Sequence, residues 1–464
     1  MTDTGVGLRS ARGPVLAAVM VSTTLIALEA TVIATAVPSI VADLGGFSEF
    51  PWLFSTYLLA QAVAVPVCGK LCDLFGRKPV ILAGIGLFLA GSIGGGAAWN
   101  IGALIAFRVV QGLGAGAIMP ATVTVVGDLY TVVERAKVQG YLASVWAVAS
   151  LVGPALGGVF SEWVSWRWIF LVNIPLCLAA AATIWFRFDE RFDRGRPDVD
   201  YRGAVLLTGG LTLVMLGVLE GGQAWGWASP ASFAVLGGGV ALLLAFGLAA
   251  RTAPEPVLPL WIFRNRLLVA TGVTSAGVGA ILLALTSYVP TYAQTVLGQG
   301  PLVSGFSLAT LLLGWPLAAS QSGRVYLRLG FRGCALIGAV VVLAGTLLLL
   351  RLDTRSSVAE PAIYCLLIGL GMGLTAPAIL VAAQSSVGWS DRGVATASTI
   401  FLRSLGSAMG VAVFGAVANA IIGPASTDPA RVASAVHHIA AGLVGVAVVM
   451  LAMVALMPRG DRPA

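Results

Sequence analysis

Apolar residues run along this chain in long blocks separated by short charged or Gly/Pro/Asn-rich connections. A membrane-crossing helix needs about 20 predominantly apolar residues. Cutting at charge clusters and turn residues gives fourteen such blocks, at 14–37, 50–69, 79–98, 101–127, 137–160, 168–186, 203–221, 230–250, 267–293, 303–323, 332–350, 361–387, 394–421 and 437–457. The pattern predicts an all-α membrane protein with fourteen transmembrane helices. Its longest intracellular connection, about 187–202 (RFDERFDRGRPDVDYR), reads as a solvated linker. Arg9 and Arg12 precede the first block in the manner of a signal peptide, but the run is too long and contains Glu29, so it reads as the first span.

Composition agrees. Of 464 residues, 58% are apolar and 10% charged, with mean hydropathy +0.94, against about 45–50% and about 25% in soluble domains. Such a chain cannot clothe a soluble globule, which excludes a water-soluble enzyme, a disordered protein and a nucleic-acid binder. The net charge of +7 does not reopen that last class, because the basic residues are scattered singly between apolar blocks. Their positions instead orient the chain. With the N-terminus inside, 21 of the 27 Lys and Arg fall on inside connections and 4 on outside ones, while Arg108 and Arg403 lie within spans. By the positive-inside rule both termini are cytoplasmic. Five cysteines, all in or beside apolar runs, argue against a disulfide framework.

The chain also repeats itself. A shift of 257 residues lays Gly112, Gly114, Gly116 and Pro120 on Gly369, Gly371, Gly373 and Pro377, and Gly153 on Gly410. A shift of 254 brings GKLCDLFGRK (69–78) onto GRVYLRLGFR (323–332), with Asp73 replaced by Leu327. This divides the chain into an N-terminal six-helix half (1–186), a charged linker with two inserted helices (187–250) and a C-terminal six-helix half (251–464). Paired helical repeats in parallel orientation are a transporter architecture with the substrate between the halves.

Several segments carry candidate chemistry. In GKLCDLFGRKPVI (69–81), Gly69 and Gly76 permit a tight turn, Asp73 suits a helix N-terminus, and Arg77 and Lys78 can pair with acids on a neighbouring connection; a plain positive-inside loop is the simpler alternative. This segment resembles the signature loop of the major facilitator superfamily. LIAFRVVQGLGAG (104–116) is similar to that family's helix 4 motif. ASLVGPALGG (149–158) is similar to its helix 5 antiporter motif, with Ala149 in place of the first glycine. LEATVIATAVP (28–38), WRWIFLVNIP (166–175) and PVLPLWIFRNR (256–266) resemble its fourteen-helix drug:proton antiporter branch. Glu29 stands where the helix 1 motif usually carries Asp.

An ionisable group inside a span is costly and is a functional candidate by default. Glu29 is therefore the expected proton carrier, its protonation favoured by burial and opposed by an approaching cation; a fixed structural partner of an arginine is the alternative. The resemblance implies a role in proton coupling for Arg108. Arg403, about 15 Å into its span at 1.5 Å per residue, is expected to face the cavity or to link to Glu29. Gly153, Pro154, Gly157 and Gly158 bend helix 5 and allow close helix approach, and the resemblance implies a seal against leak. Asp73, Arg77 and Lys78, with Asp128, Glu134 or Arg135 opposite, are expected to form a cytoplasmic charge lock. The resemblance implies Asp73 meeting the start of helix 13 and Arg77 meeting Asp128. Tyr57, Gln61, Gln111, Trp146, Tyr288, Tyr292, Gln294, Trp315 and Gln384 are further cavity candidates, together with Glu29 and Arg403; an aromatic face suits a lipophilic cation.

No phosphate-binding G-x-x-x-x-G-K-[ST] occurs, so an ion gradient and not ATP is the expected fuel. Neither an enzyme nor a metal or cofactor site is expected. The reading is a proton-coupled antiporter exporting lipophilic, neutral or monocationic small molecules, working as a monomer in a bacterial plasma membrane. Transport of lipids or lipid-like molecules is the alternative, and a non-transporting scaffold or sensor a third. A single clearly buried acid favours neutral or monovalent cargo, since Glu220 and Glu360 fall near outer ends.

Overall fold

The computed structural model describes residues 6–45, 51–190, 200–221, 225–422 and 428–458. They form helices α1 (Gly13–Leu44), α2 (Pro51–Phe75), α3 (Arg77–Gly96), α4 (Ile101–Leu129), α5 (Val132–Val159), α6 (Trp168–Leu171), α7 (Asn173–Arg187), α8 (Tyr201–Glu220), α9 (Pro230–Ala249), α10 (Arg266–Thr295), α11 (Pro301–Leu349), α12 (Ala359–Ser385), α13 (Arg392–Ile422) and α14 (Pro429–Ala455). No strand occurs among the described residues. Among the described residues, twelve helical segments are long and apolar enough to cross a membrane.

Local chemistry sets the ends. Asn100 accepts from Ala103 N to start α4, and Thr131 with Glu134 forms a capping box at α5. Helix α14 starts eight residues before the predicted span at 437, because Asp428 caps it and Pro429 takes its first turn. His437 and His438 sit on its third turn. The 49 residues of α11 would reach about 74 Å if straight, far beyond a bilayer. The backbone breaks at Gly330 (φ 76°, ψ 166°), a left-handed conformation that glycine alone adopts without strain. That break falls between the two spans predicted at 303–323 and 332–350.

The chain forms two compact units. One comprises Met1–Thr212, Gly239–Leu260 and Val387–Ser398, and the other Leu213–Gly238, Trp261–Ser386 and Thr399–Ala464. The first packs a core around Phe88, Ile118, Val125, Cys177 and Ile184, the second around Val278, Leu311, Met372, Leu443 and Met450. Small residues let the helices touch. In the first unit, Gly112 and Gly116 of α4 meet the α2 backbone at Tyr57 and Gln61, while Gly114 meets α3 at Gly84 and Phe88. In the second, Gly369 and Gly373 of α12 meet α11 at Leu311 and Trp315, while Gly371 meets Gly338 and Val342. Each pair of contacts maps onto its counterpart by the shifts read from the sequence: 257 for the glycines and 254 for their partners. The repeat is thus a repeat of packing.

Candidate functional site

Two polar assemblies lie in the first unit. The deeper one surrounds Glu29, which is 2% exposed. Arg108 of α4, also 2% exposed, pairs through Nη1 with Glu29 Oε1. The same nitrogen donates to Gln111 Oε1 at 2.7 Å, and Nε donates to the carbonyl of Leu53 at 2.9 Å. The guanidinium carbon lies 4.2 Å from the centroid of the Tyr57 ring, a cation–π stack. Glu29 Oε2 accepts from Gln111 Nε2 at 2.9 Å and from Asn173 Nδ2 at 3.0 Å. Ser92 Oγ closes the cluster, accepting from Gln111 at 3.0 Å and Asn173 at 3.4 Å. A buried ion pair persists when further hydrogen bonds satisfy its remaining atoms, and here helices α2, α3, α4 and α7 supply them. Ser92 and Asn173 escaped sequence reasoning. A serine in an apolar helix gives no signal, whereas Asn173 lay inside the quoted WRWIFLVNIP segment.

The second unit fills the positions equivalent to Arg108, Gln111 and Tyr57 with apolar groups. Arg108 corresponds to Cys365, Gln111 to Ile368 and Tyr57 to Leu311, all buried in its core. The same helix packing is therefore achieved without the polar cluster, so the fold does not require it.

The shallower assembly sits at the α2–α3 connection. Arg77, 1% exposed, is its hub. Its Nε lies 2.9 Å from Asp128 Oδ2 and its Nη2 3.3 Å from Asp73 Oδ1. Nη1 donates to the carbonyl of Cys72 at 3.2 Å and Nη2 to that of Trp389 at 3.0 Å, and the guanidinium stacks on the Trp389 ring at 3.9 Å. Asp73 caps α13, accepting from Gly393 N at 3.0 Å and Val394 N at 2.9 Å. Arg392 Nη1 reaches Asp128 Oδ1 at 3.1 Å. Glu190 accepts from the amides of Arg77 and Lys78, both at 2.8 Å. Gly69 packs against Gly393 and Ala397, and Gly76 turns with φ 91°.

Asp73, Arg77 and Asp128 thus come together, joined by Trp389, Glu190 and Arg392, which sequence reasoning did not single out. The other three charged candidates lie outside this hub. Lys78 Nζ donates to the carbonyl of Trp185 at 2.8 Å. Glu134 pairs with Arg12 at 3.0 Å. Arg135 donates to the carbonyls of Tyr130, at 2.9 Å, and Gly127, bracing the α4–α5 turn.

The major facilitator superfamily model matches residues 19–411. The chain belongs to this superfamily. It is 32% identical over 422 residues to the multidrug transporter protein MdtP of Bacillus subtilis, covering 91% of this chain and 78% of that one. It is 30% identical over 391 residues to multidrug resistance protein 3 of the same organism, covering 84% and 76%. The crystal structure of the human organic anion transporter MFSD10 (TETRAN) superimposes with a TM-score of 0.66 at 14% identity, covering 95% of this chain and 99% of that one. This superfamily member is a multi-pass membrane transporter and not an enzyme.

The remaining candidates of the transporter are dispersed. Gly153 of α5 lies directly against Thr31 of α1, whose hydroxyl donates to the carbonyl of Ala149 at 3.1 Å. Gly158 faces open space, Gly157 continues α5, and the Pro154 side chain lies outside the described residues. A side chain at 153 must displace α1, the helix that carries Glu29. Gly153→Leu is expected to cost about 1–3 kcal/mol through overpacking and to slow transport, whereas Gly158→Ala should leave both unchanged. Thermal unfolding in detergent and vesicle transport read the two effects.

In the first unit, Gln61 Nε2 approaches Met119 Sδ at 4.0 Å and Trp146 is exposed on α5. In the second, Tyr292 donates to the carbonyl of Asp353 at 2.6 Å, anchoring the end of α10. Gln294 is exposed, Tyr288 and Trp315 are half-buried, and Gln384 is buried in the last turn of α12. Arg403 is half-buried on α13, with its carbonyl against Gly279 of α10. Glu29 takes hydrogen bonds from α4 and α7 of the first unit. At the far end of that unit, Arg167 and then Trp166 donate to Asp43, at 2.6 and 3.0 Å, holding its carboxyl below the usual range.

Proposed function

We propose that this protein is a proton-coupled antiporter that exports lipophilic small molecules, neutral or monocationic, by alternating access. The observation that carries the reading is the Glu29–Arg108 cluster, a costly polar core in which the second-unit equivalents of Arg108, Gln111 and Tyr57 are apolar. Charge retained where packing does not need it is charge kept for function. Glu29 has two states to offer. Ionised, it is held by Arg108, Gln111 and Asn173; protonated, it releases the guanidinium from its strongest bond. The names of the relatives, a multidrug transporter and a multidrug resistance protein, support a drug-like cargo.

The proposed topology has fourteen spans. The α5 segment and the two arms of α11 on either side of Gly330 supply the two beyond the twelve. The Lys/Arg bias then puts both termini, and the Arg77 hub with them, in the cytoplasm. The two inserted helices are α8 and α9. In this scheme the transporter works as a monomer in a plasma membrane, and the Arg77 hub is the latch that opens and closes with each cycle.

The test is uptake of ethidium into proteoliposomes with an acidic lumen. The reading expects accumulation that a protonophore abolishes. Accumulation that ignores the pH gradient would refute proton coupling, and transport of lipid alone would replace the drug cargo.

A further inference from the structure

The amide of Asn173 differs from every other partner of Glu29 in one respect. Asn173 is 1% exposed. Its Nδ2 donates to Glu29 and Ser92, yet its Oδ1 is buried with no hydrogen-bond partner. Gln111, the other amide in the cluster, is pinned at both ends. Its Nε2 donates to Glu29 and Ser92, and its Oε1 accepts from Arg108. Turning Gln111 over would set an NH2 group against a guanidinium. Turning Asn173 over sacrifices no bond to its carbonyl.

We infer that Asn173 is the positioning residue that follows the protonation state of Glu29, by reversing its side-chain amide. This rests on the reading of Glu29 as the proton carrier. An ionised carboxylate is an acceptor only, whereas a protonated one has an O–H to donate. With Glu29 ionised, the observed orientation presents Nδ2 to Oε2. When a proton binds at Oε2, an N–H and an O–H face each other, and an acceptor is required. Arg108 offers donors only, and Gln111 is locked. Reversal of Asn173 brings Oδ1 to the place now held by Nδ2, 3.0 Å from Oε2, where it accepts from the acid. The Ser92 hydroxyl, which now accepts from both amides, can then donate to the same carbonyl. Losing the proton restores the first arrangement. Asn173 opens α7, so each reversal is registered at the start of that helix.

The other charged or titratable groups facing Glu29 are Arg108 from α4, the Tyr57 phenol from α2 and the Cys177 thiol from α7. At this level α3 and α5 bring none among the described residues. Of these three only Arg108 is hydrogen-bonded to the carboxyl, and it donates only; the Tyr57 hydroxyl is buried without a hydrogen-bond partner and so makes no bond to Glu29. The Cys177 thiol is only a weak donor and acceptor, and the Tyr57 ring is held under Arg108.

The isosteric pair Asn173→Thr and Asn173→Val separates this role from simple packing. A hydroxyl rotates to donate or to accept, while a methyl does neither. Ethidium–proton exchange is measured in proteoliposomes as a function of pH. Asn173→Val is expected to lower the exchange rate by about tenfold or more with its pH midpoint nearly unmoved, because both protonation states lose one bond. Asn173→Thr is expected to keep the rate within about threefold. If Asn173→Val instead moves the midpoint alkaline by about one unit at an undiminished rate, Asn173 is a fixed donor and the proposal fails. It fails also if both variants behave as the parent. Should Asn173→Val not insert, acid–base difference infrared spectra of the unmodified protein and Asn173→Thr decide the matter. A side-chain amide carbonyl band must shift with the Glu29 carboxyl band in the first and be missing from the second. Its absence from the unmodified protein overturns the proposal. Glu29→Gln is run alongside. If that variant still exchanges protons at the parental rate, the reading of Glu29 fails, whatever Asn173 does.

Discussion

Arg108→Ala is expected to abolish coupled exchange and to destabilise the protein by about 3–5 kcal/mol, the cost of leaving a buried charge without its partner. Arg108 is tied to Glu29, Gln111, the Leu53 carbonyl and the Tyr57 ring at once, so its loss removes four contacts and the only positive charge bonded to Glu29 among the described residues. Arg108→Lys is not a mild change, because an ammonium has no planar fork to serve three acceptors and stack on a ring together. The double change Arg108→Ala with Glu29→Gln should recover stability, since no unpaired charge remains, but not exchange. Thermal unfolding and vesicle transport measured on all four proteins distinguish the two effects. A stable Arg108→Ala variant with parental exchange would contradict the role given to the pair.

The second large effect is expected at Arg77. Its removal leaves the carboxylates of Asp73 and Asp128 facing each other's neighbourhood and strips the stack from Trp389. Arg77→Ala is expected to reduce transport to about a tenth or less and to cost about 3 kcal/mol. Asp128→Asn in the same chain should restore part of the stability by removing one unpaired charge. Lys78→Ala supplies the control. Lys78 adjoins Arg77 in sequence, but its ammonium turns to Trp185, donating to the carbonyl at 2.8 Å and lying 5.9 Å from the ring centroid. Its loss should cost no more than about 0.5 kcal/mol, as for ordinary surface positions. Equal sensitivity at 77 and 78 would mean that general positive charge, and not the hub, is what matters there.

The helices were readable because lipid demands long apolar runs, and each predicted block meets a helix within a few residues at most ends. The repeat was readable because close helix contact demands small residues at fixed places, and Gly112, Gly114 and Gly116 reappear at Gly369, Gly371 and Gly373 making equivalent contacts. Glu29, Arg108, Asp73 and Arg77 stood out because charge inside or beside a span is expensive. What escaped notice was cheap in sequence and decisive in space. Ser92 and Asn173 are uncharged, so no pattern marks them in an apolar run. Glu190 lies in a charged connector whose obvious reading is solvation. Only the fold brings it to the start of α3, where its two oxygens take the first amides of a helix that begins with glycine and so lacks a capping side chain. Conversely, Glu134 and Arg135 looked like members of the hub because they follow α4, but the turn at Thr131 directs them to Arg12 and to the α4 C-terminus.

The central claim is that Glu29 carries the proton that substrate displaces. Its most direct test is proton release on substrate binding, measured with a pH indicator on the purified transporter in weakly buffered detergent solution. Adding ethidium to the unmodified protein is predicted to release protons over the pH range in which exchange operates, and adding it to Glu29→Gln is predicted to release none. Equal release from both proteins would contradict the account.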